Sequence, residues 1–211
     1  MTSRLEILDR LRAQRRDVPT PGPWSSRRRY SDLAAQFDLA LTSAGGEVRV
    51  AANLDEALAK MSDVLVEIGV RKGIANNQPP LQSLDLPARW PNIAWRIAGK
   101  GDAASFRSFS AEADIGLSFA EAALAETGTV AVSSGLGLSR LTALLPPVHL
   151  VLVPTSCLTM DIFTWAASLQ DDLPAAITLI SGPSKTADIE QTMAVGVHGP
   201  KQFIAILYED G

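Results

Sequence analysis

Three short segments of the chain combine glycine with hydroxyl and ionisable side chains. They are AETGT at 125–129, SSGLGLSR at 133–140 and SGPSKTADIE at 181–190, and each is predicted to lie at the end of a strand. In open α/β sheets, ligands collect outside the carboxyl ends of the strands, where free backbone N–H groups and helix N-termini favour anions. We therefore expect the three segments to meet at one rim and to form a pocket for a small anionic ligand.

The first segment places a carboxylate beside a glycine. Glu126 is a candidate nucleophile or general base, because Gly128 lets a ligand approach the backbone closely. Thr127 and Thr129 would bind the same ligand. The alternative is that Glu126 is a solvated residue at a helix end and that Gly128 only forms a turn.

The second segment offers backbone and side-chain donors. Gly135 and Gly137 expose N–H groups, and Arg140 is suited to clamp a carboxylate or a phosphate. The dinucleotide-binding fingerprint needs a third glycine and a downstream acidic residue, and neither is evident in this sequence. A flexible hairpin-like loop is the alternative interpretation.

The third segment is typical of a loop that leads into a helix, here predicted around 187–193. Lys185 and the exposed amides are suited to an anion, although the spacing is not that of a Walker A loop. The alternative is that the segment only caps the helix. Its predicted ligand contacts are Gly182, Pro183, Ser184, Lys185, Thr186 and Asp188.

Two histidines and one cysteine complete the candidates. His198 in GVHGP is a candidate catalytic base with Gly199 as a ligand contact, and the alternative is a loop histidine bonded to the backbone. His149 lies in the apolar run VHLVLV and is expected in the core. Cys157 has no evident paired base, so we do not expect it to be a nucleophile.

The elements that must position these residues alternate along the chain. Two helices come first, from Ser3 and from about Ser31, joined by a proline- and arginine-rich linker. A short Ala-rich helix is predicted between 119 and 129. This order predicts an α/β fold with a mainly parallel sheet flanked by helices, divided into an N-terminal helical extension (1–45) and an α/β domain (46–211). Strands are predicted at 47–51, 72–75, 93–97, 114–119, 129–133, 148–153, 177–180 and 203–207.

Composition excludes several classes of protein. The chain has 211 residues, of which 46% are hydrophobic and 20% charged, as in soluble globular proteins. One cysteine excludes an internal disulfide and an iron–sulfur cluster held by this chain alone, and two histidines leave little for a zinc site. No apolar run reaches the ~18–20 residues of a membrane span, and the N-terminus lacks a secretory signal. We expect a cytoplasmic protein with no metal or cofactor of its own.

Charge is distributed unevenly along the chain. Residues 1–30 contain eight arginines and three acidic residues (net +5), whereas residues 31–211 contain 11 basic and 20 acidic side chains (net −9). The arginine cluster at 27–29 would suit an anionic partner. We favour pairing with the chain's own acidic body, because no nucleic-acid-binding motif accompanies the cluster. Nucleic acid is therefore not an expected partner, and the oligomeric state stays open.

Four motifs occur in one order along the chain. They are AETGT at 125–129, Leu145-Pro146 followed by His149, SGPSKTADIE at 181–190 and GVHGP at 196–200. This set resembles the LUD-domain family, in its lactate-utilisation protein C branch, over about residues 1–208. The resemblance implies a NagB/RpiA/CoA-transferase-like fold, in agreement with the alternation of strands and helices.

The resemblance also implies a function. Lactate-utilisation operons encode three proteins that oxidise L-lactate to pyruvate, and the other two carry iron–sulfur clusters. The chain is then an accessory, cluster-free component with those iron–sulfur proteins as partners. CoA transferases of the wider superfamily use a Ser-Glu-Asn-Gly turn as nucleophile, from which 125–128 differs at two positions. The alternative is a small-molecule enzyme or sensor acting on an acyl-CoA, a nucleotide or a sugar phosphate.

Overall fold

The computed structural model describes residues 3–14, 24–169, 173–187, 193–196 and 199–210. None of the helices in these residues is long and apolar enough to cross a membrane. The helices are α1 (Arg4–Ala13), α2 (Leu33–Ser43), α3 (Leu54–Ile68), α4 (Leu86–Arg89), α5 (Ala103–Ser110), α6 (Arg140–Leu144) and α7 (Ile162–Ser168). The strands are β1 (Glu47–Ala51), β2 (Lys72–Ala75), β3 (Ala94–Ile97), β4 (Ile115–Phe119), β5 (Ala122–Leu124), β6 (Thr129–Ser134), β7 (Val148–Pro154), β8 (Leu158–Thr159), β9 (Ala176–Ile180), β10 (Lys185–Ala187), β11 (Met193–Val195) and β12 (Gln202–Tyr208).

A six-stranded parallel sheet forms the centre of the protein, with strand order β1-β12-β7-β4-β2-β3. The chain moves outward from β2 to β3, then returns past β2 to β4 and continues to β7. The order therefore reverses between β2 and β4, which is the place where open α/β sheets bind ligands at their carboxyl edge. The predicted mainly parallel sheet with flanking helices is confirmed.

The central strands are apolar on both faces because both faces of the sheet are covered. In β7, Leu150 and Leu152 face a core built with α3, whereas Val151 and Val153 face a second core built with α2. Successive side chains of a strand point to opposite faces, so a strand between two cores reads as a continuous apolar run. The predicted buried strand in VHLVLV is thus explained.

Helix α3 covers one face of the sheet. Its apolar side chains recur every three or four residues, and Leu58, Met61 and Leu65 are buried against the strands. Asn53 caps its N-terminus by accepting a hydrogen bond from Glu56 N at 2.9 Å. The helix ends at Gly69, which adopts the left-handed conformation.

A second sheet covers the other face, in the order β8-β5-β6-β9. Here β6 pairs antiparallel with both β5 and β9, so two strands expected in the parallel sheet belong to this layer. The predicted Ala-rich helix between 119 and 129 is wrong, because residues 122–124 form β5. Ala123 packs on Val130 and the central sheet, and this tertiary burial overrides the helix propensity of alanine.

The helix predicted around 187–193 is also wrong at both of its ends. Lys185–Ala187 and Met193–Val195 instead form an antiparallel pair, β10 and β11, with Thr186 opposite Ala194. Ladder hydrogen bonds here replace the helical ones. Residues 188–192 lie outside the described residues.

The N-terminal helices differ in how they pack. Helix α1 begins after Ser3 as predicted, with a capping box between Ser3 and Glu6, and none of its side chains is buried. Helix α2 instead buries Phe37 and Leu41 completely in the second core. The division into an extension (1–45) and a domain (46–211) stays a prediction.

Candidate functional site

Strand β6 separates the candidate segments. Thr129 begins this strand and Gly135 follows its last residue, and six residues at about 3.3 Å each span about 17 Å between the first and last Cα. Because β9 runs antiparallel to β6, with Ile180 opposite Val130, Ser181 lies beside Thr129. The first and third segments therefore meet, and the second lies at the other end of β6. The three segments were expected to meet at one rim, but the structure places them at two separate sites, one at each end of β6.

At the first place, three hydroxyl groups form a chain. Thr127 Oγ1 lies 2.6 Å from Thr129 Oγ1, which lies 2.6 Å from Ser181 Oγ. The surrounding backbone is tightly packed: a Cβ on Gly128 would lie 2.7 Å from Leu41 Cβ and closer still to the backbone of Leu41. The hydroxyl groups thus bond to one another in a closely packed turn.

The third segment is tied to the end of α2 and to the amino edge of the sheet. Lys185 Nζ donates to Ala44 O at 2.5 Å, and a Cβ on Gly182 would lie 3.1 Å from the same oxygen. Pro183 lies beside Gly45, which follows α2. The lysine thus caps the carboxyl end of a helix, where a cation is favoured.

Ser184 and Gly199 meet at the amino edge of the parallel sheet. Ser184 N donates to Pro200 O at 2.9 Å, and a Cβ on Gly199 would lie 3.0 Å from Ser184 Cβ. Lys201 N then donates to Pro147 O, immediately before β7 begins. Asp188 and His198 lie outside the described residues, as does the side chain of Thr186.

The N-terminal segment docks on Glu126. Arg28 Nη2 lies 2.7 Å from Glu126 Oε1, and Trp24 packs against Phe163 with ring centroids 6.1 Å apart. Burial acts to raise the pKa of Asp161, but hydrogen bonds from Ser26 and Thr164 and the charge of Arg28 hold it below its usual value. At least one arginine of the 27–29 cluster therefore pairs with the protein's own acids.

At the second place, a cleft of about 550 Å³ opens at the carboxyl ends of the strands. Two glycine-bearing loops face each other across it, one after β3 and one after β6. A Cβ on Gly99 would lie 2.8 Å from Gly137 Cα, whereas a Cβ on Gly135 or on Gly101 would meet nothing within 4 Å. We call this space the 99–137 cleft; its lining residues are 98–104, 106, 107, 135–139 and 141.

The 99–137 cleft favours negative charge. Lys100 and Arg107 line it, and the N-terminus of α5 opens onto it through Ala103 and Ala104. The one acidic side chain in the lining, Asp102, is the N-cap of α5 and accepts from Ser105 N at 2.7 Å. Helix N-termini and paired cations bind carboxylate and phosphate groups. Of the predicted contacts, Gly135 and Gly137 line the cleft, and Arg140 begins α6 just after the lining residue Ser139.

The sequence of the chain matches the model of a known family. The sequence model of the LUD domain matches residues 34–208, which include both places described above. The chain belongs to the LUD-domain family. Its relatives include "Lactate utilization protein C" of Halalkalibacterium halodurans, 34% identical over 164 residues, which are 74% of this chain and 71% of that protein.

Other relatives place the chain in the same branch of the LUD-domain family. "Lactate utilization protein C 1" of Bacillus mycoides is 31% identical over 75% of this chain and 70% of its own length. The Bacillus subtilis protein is 37% identical over 47% of this chain and 44% of its own length. A DUF162 family protein from Deinococcus radiodurans shares the fold, with a TM-score of 0.56 and 18% identity over 83% of this chain and 96% of that chain.

Several residues of the cleft in this LUD-domain protein were missed from the sequence. Lys100, Asp102 and Arg107 carry its charge, yet no ligand contact was predicted among them. The signal was present, because AGKGD at 98–102 puts two glycines and a lysine directly after the predicted strand at 93–97.

Two reactive side chains of the LUD domain are held inert by burial. His149 is fully buried, with Nε2 2.6 Å from Ser118 Oγ, and desolvation lowers its pKa to about 3. Burial, reinforced by the charge of Asp210, raises the pKa of the Cys157 thiol to about 12. The predictions of a core histidine and a non-nucleophilic cysteine agree with these environments.

Proposed function

We propose that this LUD-domain protein is an accessory, cluster-free component of an iron–sulfur L-lactate oxidation system. Relatives spanning most of the chain carry the name lactate utilization protein C, which supports a role in lactate utilisation. The single cysteine of the chain cannot supply the four thiolates of a cluster, which supports placing the clusters in partner proteins.

The 99–137 cleft is the proposed binding site for a small anionic ligand. The observation that carries this assignment is the joint presence of Lys100, Arg107 and the N-terminus of α5 in one open space at the carboxyl edge of the sheet. Its volume falls in the range of about 300–1,000 Å³ that small-molecule sites occupy. Catalysis by Glu126 or His198 stays a prediction.

Growth on L-lactate tests the proposed pathway. Cells lacking the gene are complemented with wild-type protein, with Lys100→Met or with Lys201→Met, which removes an exposed lysine outside the cleft. We expect wild-type and Lys201→Met to restore growth on L-lactate and Lys100→Met to restore it poorly. Normal growth of the deletion strain on L-lactate would contradict a role in lactate utilisation.

Calorimetry tests the cleft itself. We expect inorganic phosphate or L-lactate to bind the wild-type protein, and Lys100→Met to weaken binding about tenfold through loss of one charge-assisted contact. Lys201→Met is the matched control and should bind as the wild type does. Equal affinities in all three proteins would show that anions bind elsewhere.

Co-purification tests the proposed partners. The protein carrying an affinity tag at native expression should retain iron–sulfur proteins from cells grown on L-lactate, and these are identified by their iron content and by mass spectrometry. Elution of the protein alone, while the remaining system oxidises L-lactate at the full rate without it, would remove the accessory role.

A second candidate function is a small-molecule enzyme or sensor that acts on an acyl-CoA, a nucleotide or a sugar phosphate. The size of the 99–137 cleft favours it, because about 550 Å³ accommodates a ligand much larger than a three-carbon acid. A thermal-shift panel of these compounds distinguishes it. A ligand at ten times its Kd should add about 1.4 kcal/mol to the free energy of unfolding.

A further inference from the structure

Asp161 is completely buried although it lies next to exposed residues at the surface of the protein. It is the N-cap of α7, a helix without a buried side chain, and Ile162 and Phe163 directly after it are 40% and 42% exposed. Its Oδ1 accepts a hydrogen bond from Thr164 N at 2.8 Å, a contact within the same turn. A side chain in this position is shielded from water because another segment of the chain lies over it.

Residues 24–29, which we call the N-terminal strap, supply this cover. Ser26 hydrogen-bonds to Asp161, and the charge of Arg28 acts on the same carboxylate. Arg28 Nη2 also lies 2.7 Å from Glu126 Oε1. One short segment therefore covers two carboxylates, and its arginine offsets part of their negative charge.

The strap is held by a few exposed side chains. The Trp24 ring packs against Phe163 but is 65% exposed, and the Arg28 side chain is 48% exposed. Within the described residues, the backbone of 24–29 makes no hydrogen bond to another segment of the chain. Segments with exposed contacts and no backbone pairing open at low free-energy cost, so the strap belongs to the least stable part of the protein.

The strap joins the folded body at its carboxyl end. Tyr30 packs against the second core, and Asp32 caps α2 by accepting from Ala35 N at 3.0 Å. In the other direction along the chain, α1 has no buried side chain. Rotation of the backbone near residue 31 can thus lift the strap without disturbing α2 or the sheets.

We propose that the N-terminal strap opens as a unit while the rest of the protein stays folded, and that it controls access to Glu126 and Asp161. In the closed form Arg28 covers the carboxylates, and in the open form both of them face solvent. Because an ion pair at the surface helps to hold the closed form, salt shifts the equilibrium toward the open one. The strap acts at the start of β6 and is independent of the anion site proposed in the 99–137 cleft.

Carbodiimide labelling of carboxylates, read by peptide mass spectrometry, measures how often the strap opens. Asp63 of α3 is exposed and serves as the reference carboxylate in every sample. We expect Asp161 of the wild-type protein to react far more slowly than Asp63. In the double variant Trp24→Ala/Arg28→Ala the rate at Asp161 should rise about tenfold, because both the aromatic contact and the ion pair are lost.

Ser25→Ala/Arg27→Ala is the matched control, because it changes two exposed residues of the same strap. It should label as the wild-type protein does. An unchanged rate at Asp161 in Trp24→Ala/Arg28→Ala, or an equal rise in the control, would show that the rest of the protein covers Asp161 and would overturn the proposal.

Salt gives a second arm of the same experiment. The rate at Asp161 in the wild-type protein should rise about twofold between low salt and about 0.5 M NaCl, whereas Trp24→Ala/Arg28→Ala should show no such dependence. The same dependence in both proteins would assign the salt effect to groups other than Arg28 and would overturn the ionic control of the strap.

The urea dependence of labelling separates strap opening from global unfolding. Opening of the strap exposes little surface, so the rate at Asp161 in the wild-type protein should be nearly independent of urea below the unfolding transition. A rate that rises with urea as steeply as global unfolding does would show that Asp161 is reached only in the unfolded state, and the proposal would be wrong. This measurement needs no variant, so it decides the question even if Trp24→Ala/Arg28→Ala fails to fold.

Discussion

The two ends of β6 carry similar residues in different physical states. At its start, the hydroxyls of Thr127, Thr129 and Ser181 bond to one another, and Lys185 donates to the end of α2. At its end, the loop through Gly135 faces a cleft lined by two exposed cations, Lys100 and Arg107. Both regions look alike as sequence, with glycine, hydroxyl residues and a cation.

The difference is whether the polar groups have partners inside the protein. A lysine that already donates to a carbonyl at 2.5 Å contributes to stability, whereas a lysine that lines the 99–137 cleft is available to a ligand. The glycines also differ. Gly128 permits close packing against the backbone of Leu41, whereas Gly135 lies beside open space. We therefore expect mutations at the start of β6 to change stability and mutations at its end to change binding.

Glycine replacement should give the largest effect. In Gly128→Ala the new Cβ would overlap the backbone of Leu41, and the residue already has φ +60°, so we expect a loss of about 3–5 kcal/mol in the free energy of unfolding. Gly135→Ala meets open space and should change it by less than about 0.5 kcal/mol. Urea denaturation measures both. Equal effects would break the distinction between the two ends.

Acid should produce the next largest effect, through the buried His149 of β7. His149 folds neutral with a pKa of about 3, below its ordinary 6.5, so the unfolded state binds the proton more readily. Its contribution to stability is complete above pH 6.5 and is lost as the pH falls toward 3. At pH 5 the loss should be about 2 kcal/mol.

Urea midpoints at pH 7 and pH 5 measure this dependence. His149→Gln lowers stability at pH 7 but should remove most of the difference between the two pH values, because glutamine does not titrate. Ser118 keeps a polar partner in this variant, which makes it a closer match than alanine. An unchanged pH dependence in His149→Gln would assign the acid sensitivity to other groups.

Replacing Lys185 or Lys100 should have smaller and opposite consequences, one on stability and the other on binding. Lys185→Met removes a hydrogen bond to the end of α2 and should cost about 1 kcal/mol of stability without changing affinity for inorganic phosphate. Lys100→Met should leave stability within about 0.5 kcal/mol and weaken phosphate binding. Urea denaturation and calorimetry on the same samples test both. Loss of phosphate binding in Lys185→Met would instead show that the third segment, residues 181–190, contributes to a ligand site.

The architecture could be predicted from the sequence because its signals are local. The apolar run in β7, the capping residue Asn53 and the periodic face of α3 each reflect a contact that repeats along one element. The second sheet was missed, because alanines at 122–124 become a strand only through pairing with β6 and burial against the central sheet. Nonlocal pairing of this kind leaves no period in the sequence.

The candidate site was predictable only in part for a related reason. Residue types identified glycine, hydroxyl and cationic groups, but Lys185 and Thr129 find partners 141 and 52 residues away in the chain. Lys100 resembled an ordinary loop residue, although it lies in the loop that follows a strand of the sheet. Which groups stay free for a ligand depends on the tertiary fold, since partners are supplied by distant segments.

The contact between Arg28 and Glu126 should have the smallest effect. Both side chains are partly exposed, 48% and 23%, and pairs of this kind contribute between about 0 and 1 kcal/mol. A double-mutant cycle with Arg28→Ala and Glu126→Gln should give a coupling of about 0.5 kcal/mol at low salt that declines in about 0.5 M NaCl. Arg27→Ala, next to Arg28 in the same exposed cluster, is the control.

This double-mutant cycle and its companion assays test whether Glu126 only pairs with Arg28 or has a functional role. If the pair is only a surface contact, Arg28→Ala changes neither phosphate binding nor growth on L-lactate, and Glu126 joins the internally partnered end of β6. A loss of growth in Glu126→Gln with normal stability and normal phosphate binding would instead give Glu126 a role of its own. The N-terminal segment would then lie across a second functional place, about one strand length from the 99–137 cleft.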